Sequence, residues 1–238
     1  TGHKYPQQST TAGLLMMPES ELYPEYLQDT SRLLCPGRAD QAGPHFESGH
    51  YIYLGYLVME DQDIQAFASA YETELDNNGD FSSDLSANVS YGGGAHLRRL
   101  REGIERFLIT DINDPDIIYI KSRVPVMWEW PDNHQAGWGG NVLYMDGHVE
   151  FKAYGEFPMT ETAINTLASL AGYEAPSEWA GQSANFPYDP PFSRYGYPAA
   201  CLSHFKHLGV QTMLYANGAP FDYLPPLSPE SGRLMMDE

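Results

Sequence analysis

Apolar and polar positions alternate through residues 141–151, NVLYMDGHVEF, in two short runs joined at Asp146-Gly147. A period of two predicts half-buried strands. Asp-Gly between them predicts a β-hairpin with a two-residue type I′ turn, because both central residues of that turn take positive φ. Other stretches carry a helical period. Ile64, Phe67, Ala68, Tyr71 and Leu75 predict an amphipathic helix over 62–75, capped by Asp61. Leu97, Leu100, Ile104, Phe107 and Leu108 predict another over 95–108, following Gly92-Gly93-Gly94, and Ala163, Leu167 and Leu170 a third over 160–171. A short helix is expected from Pro24, a first-turn residue, to about residue 30. The apolar run 51–59 predicts a buried strand, and 117–120 and 124–130 two more. Helices early and an antiparallel sheet late give an α+β class.

Periodicity fades beyond residue 172. Residues 173–198, rich in Pro, Gly, Ser and aromatics, read as an irregular linker. Residues 199–217 regain a helical pattern, with Leu202, Phe205, Leu208, Val210, Met213 and Leu214 apolar and Asn217-Gly218 as the stop signal. The expected organisation is a body over 1–172, a linker over 173–198, and a C-terminal helix and tail over 199–238. The tail repeats the beginning: PPLSPESGRLMMDE (225–238) aligns without gaps on PQQSTTAGLLMMPE (6–19), with seven identities in fourteen positions.

Charge narrows the partners. The chain has 32 acidic and 13 basic residues, a net charge of −19. Such a surface repels nucleic acid and anionic membranes. No apolar run is long enough to span a bilayer and no signal-peptide pattern stands at the start, so the chain is expected to be mature or trimmed, without membrane insertion. Seventeen Tyr, 18 Pro and 22 Gly suit a turn-rich exported protein. Two oxygen-rich loops offer hard ligands of the kind calcium takes: Asp76, Asn78, Asp80 and Asp84 in the first, Asp111 and Asp114 in the second. The first lacks EF-hand spacing, and a solvated turn is its plainer reading. Cys35 and Cys201 form no CxxC motif; in an oxidising compartment they are a disulfide candidate, and otherwise two buried thiols. Asn88-Val-Ser90 is a glycosylation acceptor pattern. Arg98, Arg99, Arg101 and Arg106 lie off the apolar stripe of the predicted 95–108 helix, either as a solvated face or as a contact for an acidic neighbour.

Candidate chemistry gathers at the hairpin. A metal-dependent hydrolase would use His134, Asp146 and His148, but no nucleophile elbow or third-ligand motif accompanies them. A structural role has His134 bonding Asp146 across the hairpin base and fixing the turn at Gly147; alternatively Glu129, Asp132 and Asp146 hold a cation there. In these residues the chain resembles the prepilin-like proteins with a His-x9-Asp-Gly signature, although eleven residues separate His134 from Asp146. LLCPGRAD (33–40), HYIYLGYLV (50–58), LREGIERFLITDINDPD (100–116) and VPVMWEW (124–130) resemble the family's other blocks, in its order. The resemblance implies a pilin-like fold, secretion, and assembly rather than catalysis. Residues 199–217 resemble the helix that follows the family's apolar anchor, here displaced to the opposite end. That order would bring Cys201 beside the block bearing Cys35.

Two arrangements restore the family's order. The C-terminal helix either folds back on its own sheet as a circular permutation or docks on the next copy. The second gives an extracellular or cell-surface filament, a homopolymer joined head to tail through Leu202, Phe205, Leu208, Met213 and Leu214 of the helix and Leu234 and Met235 of the tail. The first gives a monomeric or surface-attached cation-binding module.

Overall fold

The computed structural model describes residues 4–35, 49–77, 79–109, 115–131, 133, 139–172, 206 and 208–212. Its centre is a four-stranded antiparallel sheet of β1 (Tyr51–Tyr53), β4 (Pro125–Glu129), β5 (Gly139–Tyr144) and β6 (Val149–Ala153), in the order β1-β4-β5-β6. Ile52, Trp128 and Val142 pair across it in one row, and Tyr53, Met127, Leu143 and Val149 in the next. Directly paired residues share a face, so the two rows point to opposite sides. Both rows are buried in β4 and β5, whose every residue is buried, so this sheet is covered on both faces there. A separate pair, β2 (Leu85–Ser86) and β3 (His96–Leu97), lies outside it.

The hairpin of β5 and β6 turns where the Asp-Gly pair predicts, but by a different connection. Tyr144 N donates to the His148 carbonyl at 3.0 Å, and Gly147 N to the Tyr144 carbonyl at 2.9 Å. Gly147 has φ +88. The loop is therefore the three residues Met145-Asp146-Gly147, a β-turn closed by a left-handed glycine, and not a two-residue type I′ turn. Met145 explains the difference. It is buried, and its N–H donates to the Val124 carbonyl at 2.9 Å, which draws it into the body rather than out to the tip.

The α+β class holds, as do two of the predicted helices. α2 spans Asp61–Asp76 and buries Ile64, Phe67, Ala68 and Tyr71; α3 spans Glu161–Leu170 and buries Ala163, Ile164 and Leu167. The two pack together, and the Thr160 hydroxyl, which caps α3, donates to the Asp61 carboxylate. Glu60, not Asp61, caps α2, in a box completed by Asp63.

Four expectations are corrected. Residues 95–108 form no α-helix: they are β3, isolated bridges at Arg99 and Arg101, and a 3-10 turn at Ile104–Phe107. Gly103, at φ +76, breaks any helix through them, and Gly92, Gly93 and Gly94 all have positive φ just before. The strand at 51–59 ends at Tyr53, because Gly55 takes φ +72 and Tyr56 bridges to Arg99 instead. Residues 117–120 lie in a 3-10 helix, Pro115–Arg123, since a short apolar run has no period that separates strand from helix. The early helix is α1, Glu19–Leu22, followed by a 3-10 turn at Thr30–Leu33. It stops at Tyr23, whose extended backbone is what a residue before proline adopts.

The start of the chain completes the sheet's edge. Residues 5–17 wrap β1: Tyr53 N donates to the Leu15 carbonyl at 2.9 Å, the Tyr53 hydroxyl to the Pro6 carbonyl at 2.6 Å, and Tyr5 N to the Leu100 carbonyl at 3.1 Å. Leu15, Met16 and Met17 enter the core.

Candidate functional site

At the end of the sheet remote from the hairpin tip, buried polar groups form a strip. The Glu129 carboxylate is fully buried and accepts from the Asn141 backbone and side-chain amides, each at 2.8 Å. Asn133 donates to the His50 carbonyl at 2.6 Å, and the His50 ring nitrogen Nδ1 accepts from Cys35 N at 2.8 Å. Gly139 and Gly140 allow this packing. A Cβ on Gly140 would stand 2.9 Å from both Glu129 Cβ and Met159 Cε, and one on Gly139 would overlap the Lys152 carbonyl oxygen. A buried carboxylate held by two amides fixes the crossing of β4 and β5. The sequence signal for it is the Gly-Gly-Asn run facing an apolar strand that ends in Glu.

The hairpin tip is a second, separate cluster. His148 Nδ1 lies 2.5 Å from Asp146 Oδ1, His148 N donates to the same oxygen at 3.1 Å, and the His148 ring stacks on Tyr144 with centroids 4.5 Å apart. Asp146 thus takes its partner from the turn itself, while His134 and Asp132 lie outside the described residues. Glu129 accepts from Asn141, while Asp146 lies in the turn beyond Tyr144, the far end of β5, so the structure does not bring Glu129 and Asp146 together.

In the first oxygen-rich loop the described carboxylates differ in setting. Asp76 and Asp80 are exposed, and Asp80 Oδ1 accepts from Ser82 N at 2.9 Å. Asp84 is enclosed by arginines: Oδ2 meets Arg98 at 2.9 Å and Arg101 at 3.1 Å, and Oδ1 accepts from Arg99 N at 2.8 Å. Burial pushes its pKa up, but the Arg99 amide and the two guanidinium groups outweigh burial and hold it below the ordinary carboxylate value. Both oxygens are thereby engaged. Among the described residues no three His, Cys, Asp or Glu side chains gather as a metal site. Asn78, Asp111 and Asp114 lie outside those residues. The arginines are likewise not one helix face: Arg99 is buried and donates to the Tyr5 and Ser82 carbonyls, while Arg98 and Arg106 stand 4.4 and 5.0 Å from the Phe107 ring centroid. Asn88 is exposed, as a glycosylation acceptor must be, and the Ser90 amide and hydroxyl both donate to buried Asp63, a carboxylate role that periodicity does not reveal.

The third feature is a helix seat. Residues 208–212 are helical, with Leu208, Gly209, Gln211 and Thr212 buried and Lys206 exposed. A Cβ on Gly209 would stand 2.6 Å from Leu143 Cδ1. The helix backbone at Gly209 therefore rests directly on Leu143 of β5. Thr212 folds its hydroxyl onto the carbonyls of Leu208 and Gly209, each at 3.0 Å, so a polar residue enters the interface satisfied. Leu208 belongs to the apolar pattern of the predicted helix, whereas Gly209, with no side chain to add to that pattern, makes the closest contact with the sheet. Cys201, Leu202, Phe205, Met213, Leu214, Leu234 and Met235 lie outside the described residues; Cys35 is buried. No helix among the described residues is long and apolar enough to cross a membrane. No protein-family model, characterised protein or solved structure matches the chain.

Proposed function

We propose that this chain is a structural subunit of an extracellular filament, pilin-like in its helix-on-sheet architecture, in which the C-terminal helix of one copy seats on the sheet of the next. The observation that carries this reading is the contact of Gly209 with Leu143. A seat that admits the helix backbone itself is a specific docking surface, and it accepts the helix whichever chain supplies it. Residues 173–205 connect that helix to the end of the body and at full extension reach roughly 110 Å, far enough for a neighbour. A head-to-tail contact of this kind is heterologous and propagates into a helical assembly unless its rotation closes a ring. The acidic charge and the Tyr-, Pro- and Gly-rich composition suit exposure outside the cell. No catalytic role is assigned: Glu129 and His50 are buried in the strip that fixes the sheet, and Asp146 and His148 satisfy each other at the turn.

A second reading has a specific observation in its favour. The helix of this single chain lies on its own sheet, the geometry of a circularly permuted monomer. Comparing the intact chain with one lacking residues 199–238 separates the two, because only the filament reading has the intact chain polymerise, whereas a permuted monomer polymerises in neither form. The filament reading expects a truncated protein that stays soluble and unpolymerised, is less stable, and regains stability on titration with a peptide of residues 199–217. Filaments formed by the truncated protein would count against it.

A further inference from the structure

Charge is laid unevenly over this acidic protein. Of its 13 basic residues, six fall in 98–109 and 119–123, against two acidic residues there, Glu102 and Glu105, whereas residues 19–29 carry four acidic residues and no basic one. The Lys121 ammonium lies 3.6 Å from the Glu105 carboxylate. That pair joins the 3-10 helix Pro115–Arg123 to the turn at Ile104–Phe107 and makes the two basic segments one surface. Arg106 and Arg123 are exposed on it and have no ion-pair partner among the described residues. Phe107 organises the other arginines: Arg98, Arg106 and Arg101 stand 4.4, 5.0 and 5.9 Å from its ring centroid. A guanidinium already held on a ring gives up less freedom when it meets a carboxylate.

The exposed apolar side chains sit on the same two stretches. Among the described residues only three large ones are exposed: Tyr119 at 58%, Tyr23 at 42% and Ile109 at 37%. Tyr119 and Ile109 belong to the basic surface. Tyr23 lies in the acidic stretch between Glu19 and Glu25, both exposed and both without an ion-pair partner among the described residues. Arginine and tyrosine beside apolar groups are what protein–protein contacts enrich. The two surfaces are tied to opposite ends of the sheet. Arg123 stands two residues before Pro125, where β4 begins opposite Tyr144 at the hairpin end. The acidic stretch runs on to Cys35, whose N–H donates to His50, next to the pair of Tyr51 with Glu129 at the end of β4.

From this match of charge and exposed apolar groups we infer that the basic surface of one copy docks on residues 19–29 of a second copy. Arg106 and Arg123 meet Glu19 and Glu25, and Ile109 and Tyr119 cover Tyr23. The partner is a second copy because this chain itself carries the complementary surface, with its own exposed aromatic residue at the centre. Two different surfaces at opposite ends make a heterologous contact, which repeats from copy to copy. The inference rests on the filament reading and deepens it, adding a contact between the bodies to the one made by the helix on β5.

The test reverses charges on the full chain at exposed positions, which a fold tolerates, with an unchanged urea midpoint as the check on folding. Light scattering reads the concentration at which the chain assembles. Arg106→Glu with Arg123→Glu, and separately Glu19→Arg with Glu25→Arg, should each raise that concentration by about tenfold or more. Glu161→Arg, exposed on α3, should leave it unchanged. All four reversals in one chain make the two surfaces complementary again, with the signs exchanged, and should return the concentration to within about threefold of wild type. Double variants that assemble like wild type, or a fourfold variant that stays impaired, would overturn this contact and leave the filament reading standing. So would impairment by the arginine reversals alone, which would assign the basic surface a different acidic partner. A wild-type chain that assembles at no concentration sinks the filament reading itself, and this contact with it.

Discussion

Single residues decide how closely the elements of this protein approach. Gly139 combines φ +123 with a neighbouring carbonyl that excludes a Cβ, whereas Gly93 has φ +86 and open space around it. Gly93→Ala carries only the left-handed backbone cost, about 1–2 kcal/mol. Gly139→Ala adds overpacking against backbone, for a total of about 2–5 kcal/mol, and the difference is read as a shift of urea midpoint. Asp84 sets an acid limit. Its folded pKa lies below the ordinary 3.8, so its contribution is fully present above that pH and is lost as pH falls through the folded value. The stability gap between wild type and Asp84→Asn should therefore narrow below about pH 4, measured by urea unfolding at stepped pH. A gap constant down to pH 2 would show that the arginine cluster does not draw on the ionised carboxylate. Tyrosines set the alkaline limit: burial, then the charges of Asp146 and Glu105, pushes Tyr5 up to about 12, and burial also raises Tyr56, Tyr91 and Tyr144. Stability from these neutral phenols is present below pH 10 and declines above it.

Elements were legible where one physical signal dominated. The Asp-Gly pair marked the hairpin, and the spacing of Ile64, Phe67 and Tyr71 marked α2 because those side chains do fill one buried stripe. The stripe of Leu97, Leu100 and Ile104 is equally buried, yet the chain carrying it is extended and then 3-10. Burial of apolar residues does not identify the backbone, and Gly103 was the contrary signal. The polar strip escaped because its members, Cys35, His50, Glu129, Asn133 and Asn141, are brought together only by the pairing of the strands. Gly209 is the element-scale test of the seat. Gly209→Leu places a side chain where Leu143 already stands, and should cost about 1–3 kcal/mol or unseat the helix. Unseating would be read as proteolytic cleavage near residue 206 in the variant and not in wild type. Equal protease resistance and an unchanged urea midpoint would mean that the helix does not rest on Leu143.

At the scale of the whole molecule, the α+β class and the repeated tail could be read from sequence, since both are patterns of residue order. Which chain completes which sheet could not, because the same contacts arise within one chain or between two. The distinction is thermodynamic: a folded-back helix gives stability independent of concentration, whereas a helix supplied by a neighbour follows mass action. Sedimentation velocity on the intact chain over a thousandfold range of concentration reads this directly. The filament account predicts a sedimentation coefficient that climbs with concentration without a plateau, with fibres in negative-stain images of the same samples. A single species of 26.6 kDa at every concentration would contradict it.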